Sequence, residues 1–529
     1  MALVIYLLVI VLGILNLGAE LWRDLMMLQQ NSYRRERYSK WLSQSGDSTS
    51  GWRLCGIIVF FIMLTPWCPA IPGSILAGIF FAADSAKLLK AKYKKPLVMT
   101  ARARRIYATA IALCALAAAA VMLLVLPGWE SKLHATVITA LALYCASHLV
   151  IITANTVLAP IEHRITQGYI DDAKSILAQM PGLKIIGVTG SYGKTTTKHY
   201  LQRILSEQYE TLMTPGSYNT TMGVVRTVRE YLKPYHEVFI VEMGAKQVGD
   251  IKEICDIVHP RAGVVTAVGP QHLESFKTIE NVCSTKFELV DSLPADGLAV
   301  VNNDFEQIAG RTVNNVRCLR YAVSKPNGAD YIATDISYSP SGTTFTACNG
   351  NWHLELTTRI VGECNVSNIL SAVAMAHEMG VSDEKIRYAV GQIESVEHRL
   401  SIRRIPGGMT IIDDAFNSNP VGSAMALDVL ASMKPSRRIL VTPGMIELGE
   451  RQEELNAKFG AKAATSCDLA IIVGHYNREA ITSGLRRAGM PEESIRTANT
   501  FAEAQQILAA YATAGDTVLY ENDLPDTFK

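Results

Sequence analysis

The stretch GVTGSYGKTTT at residues 187–197 lies between a β-branched run, KIIGV (184–188), and a helix-like segment, KHYLQRILSEQY (198–209). A glycine-rich turn leading from a strand into a helix is a cradle for phosphate, because backbone N–H groups and the positive end of the helix both point at the anion. Gly190 and Gly193 permit close backbone approach, Ser191 and Tyr192 complete the loop, and Lys194 reaches the outer phosphates. Thr195 or Thr196 then offers a hydroxyl to Mg²⁺. Val188 stands where the common G-x-x-x-x-G-K-[ST] spacing has glycine. By itself the loop predicts a nucleoside-triphosphate site and nothing narrower.

Outward from this loop the chain divides by hydropathy. Residues 1–19, 54–83, 106–129 and 135–161 carry almost no charge, whereas the remainder reads as an ordinary water-soluble protein. We therefore expect an α-helical transmembrane domain over 1–160. The first segment lacks a basic start and a small-residue cleavage site, so it reads as a retained helix. Pro66, Pro69 and Pro72 interrupt segment 54–83, which suits two short helices or a re-entrant hairpin. Both of its flanks are basic, with Arg34, Arg35, Arg37, Lys40 and Arg53 before it and Lys87, Lys90, Lys92, Lys94, Lys95, Arg102, Arg104 and Arg105 after it. The positive-inside rule makes both flanks cytoplasmic. The chain then crosses outward at 106–126 and returns at 136–158, which leaves everything after Glu162 in the cytoplasm, where ATP is. The expected location is the inner membrane, multi-pass, with the bilayer as partner. His148 and Asn155, inside the last span, read as polar groups facing other helices.

Composition excludes several classes. With 50 basic and 49 acidic residues there is no overall electrostatic footprint for nucleic acid. The ten cysteines show no C-x-x-C spacing, so they read as reduced, mostly buried thiols with neither a disulfide framework nor a zinc site.

From residue 184 strand-like runs alternate with amphipathic stretches: KIIGV, EVFIVEMG, AGVVTAVG and GLAVVNND, with segments such as TIENVCSTKFELVDSL between them. That rhythm predicts a mostly parallel sheet with helices on both faces. A β-rich patch follows at 318–361, and a second α/β series begins near 401 with MTIIDDAF, RRILVTPGM, LAIIVGH and DTVLYEND. The expected layout is a linker helix at 161–183, a central ATP-binding domain at 184–400 and a C-terminal domain at 401–529. Two such domains joined near His398 and Arg399 leave a cleft between them. Glu242, His272, Asn302 and Asp304 stand at ends of predicted strands, where packing gives no reason for polar groups. A hydroxyl, a carboxylate and a neutral imidazole would suit Mg²⁺.

The loop TGSYGKTT, together with TPGSYNTTMG, VEMGAKQVGDI, AGVVTAVGPQHLESF and TKFEL, resembles the central domain of the Mur ligases, in particular the MurF type. Those enzymes are ATP-dependent amide-bond ligases of cell-wall synthesis. The resemblance implies a P-loop central domain and a Rossmann-like C-terminal domain, ATP and Mg²⁺ as cofactors, and a reaction through an acyl phosphate. It places Thr195 and Glu242 at one Mg²⁺ and His272 at a second. It matches Lys286, in the K-x-E pattern, to the family's carbamylated lysine, and makes Lys194, Lys286, His272 and Arg399 the catalytic set. GECNVSNILSA resembles the nucleotide motif G-x-H-N-V-x-N, which puts Asn365 and Asn368 at the nucleotide, with Cys364 where His is usual. Asn302 and the linker arginine Arg399 join them, and IIDDAFNSNP contributes Asp414 and Asn417, with Phe416 replacing Tyr. PGMIELG resembles GDMLELG with Gly444 in place of Asp. The family's uridine-binding domain has no counterpart here, and the apolar region occupies its place. The expected substrate is therefore a small-molecule or lipid-linked peptide of the cell wall. A poly-γ-glutamate synthase-like ligase and a non-catalytic ATP-binding membrane scaffold are the alternatives.

Overall fold

The computed structural model describes residues 1–523 except 92, 94, 125–127, 340–341, 416–417 and 434–435. Lys92, Lys94, Phe416 and Asn417 thus lie outside the described residues. The chain divides into two compact units, Met1–Gln167 and Gly168–Asp523.

The first unit is helical. Helices Ala2–Gln30, Ala70–Lys90 and Ala101–Leu124 are each long and apolar enough to cross a membrane, and Trp129–Cys145 with Ser147–Ala178 passes the same test as a pair bent by 75°. Only 22% of the most apolar window of the first helix is buried inside the protein. Leu3, Val4, Leu7, Leu8, Val11, Ile14 and Leu15 face outward, an apolar exterior that water disfavours. Segment 54–83 breaks at 65–69 into Gly51–Leu64 and Ala70–Lys90, as its prolines require.

The expected return at 136–158 falls on the bent pair, which breaks at Ala146, next to Ser147 and His148; these turn inward to polar partners on other elements. One expectation is corrected here. Arg53 is not a solvated orientation signal: it is 3% exposed, donates to the Tyr144 carbonyl at 2.6 Å and pairs with Glu20 at 3.2 Å. A buried guanidinium next to carboxylates is counter-charge, which net-charge counting along the sequence does not distinguish from a loop cation.

The second unit holds two sheets. In the first, β1 (Lys184–Thr189), β2 (Thr211–Met213), β3 (Val238–Glu242), β4 (Ala262–Val265), β5 (Leu298–Asn302) and β6 (Arg317–Ala322) run parallel in the order β2-β3-β1-β4-β5-β6. β7 (Tyr331–Ser339), β8 (Gly342–Asn349) and β9 (Trp352–Thr358) extend the sheet, pairing antiparallel with one another. Successive residues feed opposite faces: Ile186, Val188 and Ile240 pack with Leu201, Ile204, Ile369 and Val373, while Ile185, Phe239 and Val241 pack with Val224, Ile254 and Phe287. The helix Ile279–Asp291 starts on Thr278, whose Oγ1 accepts from Asn281 N, and brings Leu289 against Gly187, where a Cβ would lie 2.5 Å from Leu289 Cδ1.

The second sheet has the order β10-β11-β15-β12-β13-β14: β10 (Ser401–Arg404), β11 (Thr410–Asp414), β12 (Arg438–Thr442), β13 (Leu469–Val473), β14 (Ile495–Ala498) and β15 (Thr517–Glu521). All are parallel except β10, which pairs antiparallel with β11. The sequence rhythm gave no sign of β2 or β14. They are edge strands of three and four residues, too short for a periodicity to show and held by pairing with β3 and β13.

Candidate functional site

Parallel sheets expose loops and polar groups at the C-terminal ends of their strands. β1 pairs with β3 so that Val188 lies opposite Glu242, and the loop 190–193 leaves β1 immediately beyond that register. Two glycine positions in this loop are backbone requirements. Gly190 has φ 151°, and a Cβ there would lie 2.1 Å from Thr266 Oγ1; Gly193 has φ 74°, and a Cβ would lie 2.4 Å from Asn368 Oδ1. The helix Lys194–Leu205 then begins at the loop.

A cleft in this unit is lined by Ser191–Thr196, Asn219, Glu242, Thr266, Gln271, Asn302, Asp304 and Phe305, by Glu363, Cys364, Asn365, Ser367 and Asn368, and by Arg399, Leu400, Asp414, Asn419, Val421 and Met425. Most residues singled out in the sequence therefore meet at one place. Lys194 Nζ donates to Gly190 O at 2.6 Å and Ser191 O at 3.2 Å, and burial lowers its pKa to about 8. Thr195 Oγ1 donates to Glu242 Oε1 at 3.1 Å, and Arg399 Nη2 stands 3.4 Å from the same hydroxyl. Burial pushes the Glu242 carboxyl up, but the Lys198 and Lys194 ammoniums outweigh it and hold it below the usual carboxylate value. Asp414, which accepts from Leu400 N at 3.0 Å, is raised to about 6 by burial against the pull of Arg399.

Several predicted residues have structural partners. Asn302 donates to Thr266 O at 2.8 Å and to Ser367 Oγ at 3.2 Å, and Asp304 accepts from the backbone N–H groups of Val323, Ser324 and Lys325. Asn365 accepts from the Tyr200 hydroxyl and donates to Val361 O, and Asn368 accepts from Thr197 Oγ1. Each also lines the cleft. Burial raises the Cys364 thiol to about 12, so this position presents a neutral, weakly polar group where the motif usually has His. Gly444 has φ 78°, and a Cβ there would lie 2.6 Å from both Asn456 Oδ1 and Ile481 Cδ1, leaving no room for a side chain.

His272 and Lys286 do not line the cleft. His272 has φ 53°, and its Nδ1 meets the carboxylate of Glu447, itself at φ 62°, joining the loop after β4 to the loop after β12. Burial lowers the His272 pKa although Glu447 opposes it. Lys286 is 2% exposed, and burial, reinforced by the Lys194 charge, lowers it to about 7.

Sequence reasoning missed Lys198, Asn219 and Glu447. Lys198 is fully buried, 2.9 Å from Glu242 Oε2, and donates to Thr214 O and Gly216 O. Asn219 Nδ2 donates to Glu242 Oε1 at 3.0 Å. The signal was present: a second lysine one helical turn beyond Lys194 falls on the same helix face.

Family models for the Mur ligase middle domain and the Mur ligase glutamate ligase domain match residues 188–376 and 398–520. The UDP-N-acetylmuramoyl-tripeptide–D-alanyl-D-alanine ligase of Escherichia coli K12 is 29% identical over 308 residues, 58% of this chain and 67% of that one. Its counterpart in Mycobacterium leprae is 30% identical over 378 residues, 66% of this chain and 72% of that one. Curated relatives of this kind from E. coli, Haemophilus influenzae and Bacillus subtilis are matched over 67%, 65% and 62% of their length. Among solved structures, MurF from Acinetobacter baumannii has a TM-score of 0.61 at 26% identity, covering 68% of this chain and 77% of that one. With two family domains matched in its second unit and the phosphate loop, strand-end carboxylate and linker arginine at one cleft, the chain belongs to the Mur ligase family.

Proposed function

We propose that this protein is an ATP-dependent amide-bond ligase of the MurF type that activates a carboxylate of a peptidoglycan-precursor peptide and joins it to an amine. The observation that carries the reading is the convergence of Lys194, the Thr195–Glu242 pair and Arg399 on one cleft. The acid's oxygen attacks the γ-phosphorus of ATP, ADP leaves, and the amine then displaces phosphate from the acyl carbon. Negative charge spreads over the phosphoryl oxygens as this proceeds, and Lys194 and Arg399 stabilise it from fixed positions. Thr195 and Glu242 offer the neutral and anionic oxygens that Mg²⁺ takes, and Asn219 holds the Glu242 carboxylate in place. Mg²⁺ held there supplies charge neutralisation for the phosphates. Lys286, lowered to about 7, is largely a neutral amine in mildly alkaline solution, the form that adds CO₂. A carbamate at that position would be the carboxylate metal ligand that the family resemblance implies. Asn302, Asn365, Asn368 and Asp414 are the proposed nucleotide contacts.

We place the protein in the inner membrane with its ligase unit in the cytoplasm, and its acid substrate among lipid-linked cell-wall precursors. Support comes from the three to four apolar helices and from the two-dimensional concentration that a shared membrane gives enzyme and substrate. The test is phosphate release and product analysis with solubilised full-length protein, D-Ala-D-Ala as amine, and lipid-linked or UDP-linked muramoyl tripeptide as acid, with polyglutamate as a further acceptor. Faster turnover with the lipid-linked acid is expected. Equal rates on the UDP-linked acid restore the soluble substrate, and turnover on polyglutamate alone overturns the MurF-type assignment.

A further inference from the structure

The unit Met1–Gln167 holds a cluster of charge that nucleotide handling and peptide ligation do not use. Asp24 on the helix Ala2–Gln30, Asp47 on the single turn Asp47–Thr49 and His148 at the start of Ser147–Ala178 come together from distant parts of the sequence. One ligand-capable atom from each lies within 4.8 Å of the other two. Asp24 is 0% and His148 5% exposed. Asp24 Oδ1, Asp47 Oδ2 and His148 Nε2 are all buried without a hydrogen-bond partner.

The surrounding contacts leave these three atoms facing one another. Ser147 Oγ donates to the other Asp24 oxygen at 2.5 Å, and Arg23 takes the other Asp47 oxygen. Arg53 and Arg23 reach Asp24 Oδ1 only at 3.6 and 4.0 Å. His148 Nδ1 lies 2.8 Å from the Tyr38 hydroxyl and 3.0 Å from Asp24 Oδ1. When Nδ1 carries the proton and Tyr38 accepts it, the Nε2 lone pair faces Asp47 Oδ2 across 3.1 Å. Two acceptors at that distance repel unless a proton or a metal cation lies between them. Around the cluster, the carboxylates of Glu20, Asp24 and Asp47 outnumber the guanidiniums of Arg23 and Arg53 that pair with them. Buried carboxylates are paired or coordinate metal.

We propose that Asp24, Asp47 and His148 form a binding site for one divalent transition cation of the Zn²⁺ class. One imidazole and two carboxylates are a mixed nitrogen–oxygen set, which suits Zn²⁺ better than the oxygen-only preference of Mg²⁺ or Ca²⁺. Three protein ligands leave a fourth position for water. Tyr38 and Ser147 orient the His148 ring and the Asp24 carboxylate from outside.

The test uses full-length protein in detergent carrying Glu242→Gln, so that the nucleotide cleft contributes little metal. After dialysis against EDTA, Zn²⁺ is restored and unbound metal removed. One zinc per chain is expected by mass spectrometry, and Asp47→Asn or His148→Gln lowers Zn²⁺ affinity by about tenfold or more. Co²⁺ in place of Zn²⁺ gives visible ligand-field bands that shift when the nitrogen ligand is lost in His148→Gln. Equal retention by the parent and both variants, or no stoichiometric zinc in the parent, overturns the proposal; the second result makes a protonated His148 the balancing charge. Should a variant fail to accumulate, the parent's zinc content and Co²⁺ spectrum decide alone, and a spectrum like that of aqueous Co²⁺ rejects the site.

Discussion

Thr195 Oγ1 donates a hydrogen bond to Glu242 Oε1 at 3.1 Å, so the first hydroxyl after the loop lysine touches the carboxylate that ends β3. These residues are 47 positions apart in the chain, and the parallel register of Val188 against Glu242 brings them together. Asn219 donates to the same oxygen, and Lys198 pairs with the other, Oε2. A group engaged on both sides has one orientation, which is what a site for phosphate and metal requires.

Lys194→Ala is expected to lower ATP-dependent ligation by about 10²–10³-fold, because the ammonium acts on phosphate charge in a water-poor cleft. The melting temperature should stay close to that of the parent protein. Phosphate release and a thermal melt on the same preparation check both statements, and near-normal turnover rejects the nucleotide assignment.

Lys198→Met leaves Glu242 as a buried carboxylate without its strongest partner, at an expected cost of about 3–5 kcal/mol in stability. Lys198→Met combined with Glu242→Gln should recover most of that stability, since neither charge is then stranded, yet remain inactive. A double-mutant cycle by denaturant titration reads the coupling. Additive losses would mean that the two side chains do not interact.

Lys286 predicts a pH dependence of stability. Its ordinary pKa is 10.5 and the folded value about 7. Below about 7 the lysine is charged in both states and the full penalty for burying the charge applies. Between about 7 and 10.5 only the unfolded chain holds the proton, so this lysine makes stability rise with pH across that window. Lys286→Met should flatten the rise and show its greatest gain over wild type below pH 7, measured by thermal unfolding from pH 6 to 9. Lys286→Ala should lose most ligation, with part restored by a small added carboxylic acid; wild-type activity in Lys286→Ala would end the carbamate assignment.

On the proposed topology, an odd number of crossings with the basic stretches inside, a reporter fused after Lys529 should be active on the cytoplasmic side and one placed before Ala2 outside. Proteolysis of the ligase unit from outside intact cells would refute this topology.

By itself the sequence determined the phosphate loop, the alternation that builds both parallel sheets, and the apolar helices of the first unit. These are local properties: a glycine at positive φ, a period of two or 3.6, and a run of uncharged residues are each written within about 20 neighbouring positions. Glu242 and Asn302 were legible for the same reason, as polar groups ending apolar strands, whereas Asp414 was reached through the resemblance of IIDDAFNSNP to the family motif. Tertiary structure alone decided which groups meet across long separations. It paired Lys198 with Glu242, set His272 against Glu447, buried Arg53 beside Glu20, and gathered Asp24, Asp47 and His148 into one cluster. Nothing in a lysine, an arginine or a histidine marks it as buried. Whether such a charge is solvated or paired depends on partners that only the folded chain brings within about 4 Å, where the loss of water makes each pairing decisive.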